Sequence, residues 1–143
     1  MSNPLRRIEL GENHRRAVSV LMRGTEQACK EVEEWLERTS GALTEVREDV
    51  PPEQEARLRE LTARLRAEVQ EFSGKVTLDK RRMSRRRSIA AIVCAALIDL
   101  EEVQDSGLKG YGKMSEEAKE VLNEYVVRML DLLEQMLHIA EAQ

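Results

Sequence analysis

From Leu58 to Leu97 the apolar residues of this chain hold a single rotational phase. On a wheel of 100° per residue, Leu58, Leu61, Leu65, Val69, Phe72, Val76, Met83, Ala90, Cys94 and Leu97 fall in one sector about 80° wide. Only a helix gives that spacing, and a loop inside it would normally scramble the phase. The pattern predicts one continuous helix over residues 53–105, about 80 Å long at 1.5 Å per residue. The alternative breaks the chain at Ser73–Thr77, where Gly74 permits a turn, and gives a four-helix up-down bundle.

Two further segments read as helices. Between Asn13 and Arg47, Val18, Thr25, Val32, Thr39 and Val46 recur every seven residues. Leu21 or Met22, Ala28 or Cys29, Trp35 or Leu36, and Ala42 or Leu43 fill the intervals, as in a coiled-coil seam. Gly11 separates this helix from a short leading one holding Leu5 and Ile8. Pro51 and Pro52 end the seam and suit the start of the next helix. The last helix runs from Ser115, a good N-cap followed by Glu116 and Glu117, to about Ala140. Its apolar set, Ala118 to Ala140, covers more than half the circumference, too much for one neighbour. The fold class is therefore all-α: an antiparallel bundle of three long helices forming one domain over residues 1–143. Composition agrees, since proline is limited to three residues and aromatics to 3% while charged residues reach 35%.

A basic block lies inside the long phase. Lys75, Lys80, Arg81, Arg82, Arg85, Arg86 and Arg87 face only Asp79 within residues 75–87, giving +6 in a chain of net charge −4. On a continuous helix these cations form a sleeve that leaves only the sector of Met83 to face the core. Placing them mid-helix also avoids setting cations at a helix N-terminus, which costs about 0.3–1 kcal/mol each at worst. An antiparallel last helix would bring Asp131, Glu134 and Glu141 toward the sleeve. After Ser88 a second apolar face opens: Ile89, Ile92, Val93, Ala96, Leu100 and Val103.

Motifs for catalysis are weak. "GLKGYGKMS", Gly107–Ser115, approaches a phosphate-cradling loop, but Met114 stands where Ser or Thr should hold the metal and no strand precedes it. It reads as an interhelical turn. His14 and His138 lack the Glu-x-x-His spacing of di-iron bundles, and His14 lacks the surroundings of a phosphotransfer histidine. Glu134 and His138 read as a solvated pair. Cys29 and Cys94 match no metal or redox spacing and read as reduced thiols. Ser84 and Ser88 follow basic residues, a pattern that arises often by chance. No cofactor and no metal site are expected, and the chain is not expected to be an enzyme.

The sequence thus predicts a non-enzymatic helical interaction or scaffold protein, cytoplasmic, with no signal peptide and no membrane span. It is expected to form a homo-oligomer, a dimer for preference, or to bind a protein partner. The expected contact residues are Ile92, Ala96, Val126, Leu130 and Leu133, chosen for their places on second apolar faces. The alternative is RNA or DNA binding by Lys80, Arg81, Arg82, Arg85, Arg86 and Arg87, helped by Arg6, Arg7, Arg15 and Arg16. Against it, no aromatic residues are interleaved for base stacking.

Overall fold

A computed structural model describes residues 6–142. The chain is all-helical: α1 Glu12–Glu37, α2 Pro52–Lys75, α3 Arg85–Ser106, a 3₁₀ turn Lys109–Tyr111, and α4 Glu116–Glu141. It falls into two compact units, Met1–Arg81 and Arg82–Gln143. In the first, α1 pairs with α2; in the second, α3 pairs with α4. Both pairs are antiparallel. Arg66 on α2 reaches Glu33 (2.7 Å) and Arg59 reaches Glu37 (3.7 Å), so later residues of α1 meet earlier residues of α2.

The helix expected over residues 53–105 is broken between Val76 and Ser84, so the chain has the four helices of the alternative, with the break mostly after the Ser73–Thr77 expected for it and the helices described as two pairs. The cause is a set of bonds from outside the segment. Ile8 pairs with Val76 in a parallel bridge, its N–H donating to the Lys75 carbonyl (2.8 Å) and its carbonyl accepting from Thr77 (3.0 Å). The Thr77 hydroxyl donates to Glu9 (2.7 Å). Asp79 is held three ways: its N–H donates to Ser19 Oγ (2.8 Å), its carboxylate pairs with Arg15 (3.0 Å), and its carbonyl accepts from Arg23 (3.1 Å). Backbone groups that a continuing helix would have satisfied are satisfied here by α1 and the strand-like residues before it. Residues 6–10 are not helical, contrary to the short leading helix expected around Ile8; Leu5 lies outside the described residues. Met83, expected in the core, is 70% exposed.

The new start at Arg85 sets three arginines in the first turn of α3. Ser84 caps it, accepting from the Arg87 N–H (3.2 Å), an arrangement typically contributing about 1 kcal/mol. Arg86 turns to the far end of α4 and donates to the Ile139 carbonyl (2.6 Å). A cation is favoured there, so the antiparallel neighbour offsets the dipole cost.

α1 ends at Glu37, ten residues before the expected Arg47. Ser40 and Gly41 build a turn instead: the Gly41 N–H donates to the Thr44 carbonyl (2.8 Å) and the Val46 N–H to Ser40 Oγ (2.9 Å). Short hydroxyl side chains compete with the helix for backbone donors in this way. The seam therefore stops before Thr39, and Leu43 is fully exposed. Two starts match expectation. α2 begins at Pro52 behind Pro51, and Ser115 caps α4 by accepting from the Ala118 N–H (3.2 Å). Gly107 closes α3 at φ +60°, a left-handed conformation suited to glycine.

The core of the second unit is Val93, Leu97, Val126 and Leu130, with Leu100, Val103, Leu122, Leu133 and Leu137 packed against it. The first unit is built differently. Its buried helix positions are Ser19 and Cys29 on α1 and Thr62 and Val69 on α2. Leu58, Leu61, Leu65 and Phe72, the apolar face of α2 in the sequence pattern, remain 36–45% exposed.

Candidate interaction surfaces

All six residues of the basic block, Lys80, Arg81, Arg82, Arg85, Arg86 and Arg87, are exposed. Among the described residues none forms an ion pair, so the expected neutralisation by Asp131, Glu134 and Glu141 is not seen; Arg86 meets carbonyl groups instead. Of the four arginines named as helpers, two are engaged elsewhere: Arg15 with Asp79 and Arg16 with Glu12. Arg6 is exposed. Arg7 is brought by the Ile8 bridge to a cavity of 540 Å³ in the first unit, together with Arg23, Lys80 and Arg81.

The five expected contact residues divide. Ile92 is 71% exposed and Ala96 half-buried. Val126 and Leu130 are 3% and 8% exposed because they fill the α3–α4 core, and Leu133 packs beside them. These three are thus spent inside the unit.

The sequence of α4 explains this outcome. Val126, Leu130, Leu133, Leu137 and Ala140 follow a 4-3-4-3 spacing and face α3. Tyr125, Met129, Leu132, Met136 and Ile139 follow the same spacing one residue earlier, and they stay 45–70% exposed. α4 therefore carries two adjacent heptad seams, one closed and one open. On α3, Ile89, Ile92 and Ala96 form a matching open row beside Val93 and Leu97, ended by Asp99. Each open row lies on the same rotational side of its own core row. In an antiparallel pair that places both on one side of the hairpin. The result is an apolar face from whose side Glu120, Glu124 and Asp131 of α4 are excluded by their spacing, with Arg128 at its edge over the Tyr125 ring (4.9 Å).

The first unit also exposes large apolar side chains: Leu21 and Trp35 on α1 are 64% and 60% exposed, and Leu58, Leu61 and Leu65 on α2 are 39–45% exposed. Arg38 sits over the Trp35 ring, 4.1 Å from its centroid. The Arg66 guanidinium is held above its ordinary pKa by its hydrogen bond to Glu33, which outweighs the small loss of hydration. It stays charged at every physiological pH.

Ser84 is occupied as a cap, and Ser88 donates to its carbonyl (2.8 Å). Residues 107–115 form the α3–α4 connection, with Leu108 in a left-handed conformation (φ 56°). Cys29 is buried and Cys94 half-buried, both as thiols. Among the described residues no group of three His, Cys, Asp or Glu is placed to hold a metal, and no helix is long and apolar enough to cross a membrane. No protein-family model, curated protein or solved structure matches the chain.

Proposed function

We propose that this is a non-enzymatic interaction protein that works through helix faces and pairs with a second copy of itself. The observation that carries the reading is the broad exposed apolar face of the α3–α4 hairpin. Ile89, Ile92, Tyr125, Met129, Leu132, Met136 and Ile139 are 42–71% exposed. A specific interface of standard size takes roughly 800 Å² from each partner, and these seven large apolar side chains are of the kind that form its core. Monomeric proteins rarely leave so large a patch in water. A second copy suits it because the α4 seam is built of uncharged side chains, and the cation at its edge, Arg128 over the Tyr125 ring (4.9 Å), is already paired with Glu124. A two-fold axis would set the face against itself and complete a four-helix arrangement from two hairpins. On this reading the protein belongs in the cytoplasm, where Cys29 and Cys94 stay reduced.

Molar mass measured by light scattering or sedimentation is the direct check. A dimer that dissociates on dilution is expected; a monomer at high micromolar concentration removes the reading.

A second reading is favoured by the six exposed cations that meet no carboxylate: contact with the phosphate backbone of RNA or DNA. It predicts binding that weakens steeply with salt. Arg81→Ala, Arg82→Ala, Arg85→Ala and Arg86→Ala together should weaken an oligonucleotide complex at least 100-fold in fluorescence anisotropy at low salt. If parent and quadruple variant bind equally, the block is not a nucleic-acid contact.

A further inference from the structure

The 540 Å³ cavity of the first unit gathers cations from three separate stretches of chain. Arg7 arrives beside the bridged Ile8. Arg23 projects from α1 and is steadied by the Asp79 carbonyl (3.1 Å). Lys80 and Arg81 follow Asp79, whose three attachments to α1 fix where the next residues begin. Against these four cations the wall holds two carboxylates, Glu26 and Asp79. Asp79 already faces Arg15, which lies outside the lining. Among the described residues Arg7, Lys80 and Arg81 make no ion pair and no side-chain hydrogen bond, so their donors stay available. The cavity therefore carries excess positive charge in a chain whose net charge is −4.

We infer that this cavity is a binding site for a small oligophosphate anion. Its volume lies in the range of small-ligand sites. Guanidinium groups bind phosphate oxygens in pairs, and three arginines with one lysine suit a ligand bearing several phosphates in a row. No aromatic ring lines the wall, so there is no platform on which a base could stack. Recognition rests on phosphate charge and spacing, and the ligand must carry enough charge to outweigh Glu26. The phosphates of a nucleic acid share this chemistry, but cations drawn from three stretches of chain around one pocket favour a short free ligand over a strand running along the surface. The site involves neither apolar face and stands independently of self-association.

The test is calorimetric titration of the full chain at low salt with tripolyphosphate, and separately with a single-stranded oligonucleotide. One tripolyphosphate per chain is expected. Arg7→Gln with Lys80→Gln should weaken it at least tenfold. Arg85→Gln with Arg87→Gln removes the same charge from the neighbouring block, outside the cavity, and should change it less than twofold. Arg7 and Lys80 are exposed and bond to nothing described, so circular dichroism should show unchanged helix content. Absence of tripolyphosphate binding overturns the inference. So does equal weakening by the two pairs of substitutions, or an oligonucleotide that binds more tightly than tripolyphosphate and responds equally to both pairs.

Discussion

The Ile92→Glu, Leu132→Glu double variant is expected to sediment as a monomer at concentrations where the parent is a dimer. Both residues lie in the middle of the open α3–α4 face, 71% and 59% exposed in the single chain. In a symmetric dimer each substitution occurs twice, so four carboxylates would be forced into a contact with no described cation in its rows. Burying an unpaired charge costs several kcal/mol. Even about 3 kcal/mol raises the dissociation constant more than 100-fold. The hairpin itself should be indifferent, because neither side chain belongs to its core and Glu is a good helix former. Helix content should match the parent. A variant that still dimerises with the parent's affinity would exclude this face and direct attention to Leu58, Leu61 and Leu65.

The largest effect on stability is expected at Leu97. It is 6% exposed within the cluster of Val93, Val126 and Leu130. Leu97→Ala removes three carbons and leaves a cavity that two helices can close only partly, a loss of about 2–4 kcal/mol. For a unit of this size that corresponds to a fall in melting temperature on the order of 10–20 °C. Met83→Ala should change stability by less than about 0.5 kcal/mol, because Met83 is 70% exposed and outside any helix. Urea unfolding followed by circular dichroism measures both. The pair separates two registers: a continuous helix would make Met83 a core residue and its truncation costly.

The features legible in the sequence were those fixed by near neighbours. Pro51 and Pro52 mark the start of α2 and Ser115 the start of α4 because a cap acts within one turn. The helical class followed from composition and periodicity. The break is legible only as the alternative that Gly74 permits at Ser73–Thr77; its place at Val76–Ser84 is not, because the bonds that set it come from Ile8, Glu9, Arg15, Ser19 and Arg23, some 55 to 70 positions away. Apolar spacing alone continued smoothly across it. The choice of face on α4 was hidden for another reason. Two seams of equal length lie one residue apart, and only the position of α3 decides which is closed. On α4 the residues expected at a contact, Val126, Leu130 and Leu133, are those that α3 covers, while Tyr125, Met129, Leu132, Met136 and Ile139 stay exposed. The basic block was plain in the sequence, but its neighbours were not. Nothing local announces that Arg86 meets the last carbonyls of α4, or that Arg7 joins Lys80 and Arg81 at one cavity.

The paired seams of α4 tie the folding of the hairpin to the occupancy of its outer row. Leu122, Leu133 and Leu137 pack against the α3–α4 core yet stay half-buried, so the closed seam alone leaves apolar surface in water. An occupant that binds only the folded hairpin shifts the folding equilibrium by mass action. If that occupant is a second copy, thermal stability ceases to be a constant of the molecule: concentrated solutions melt at higher temperature than dilute ones.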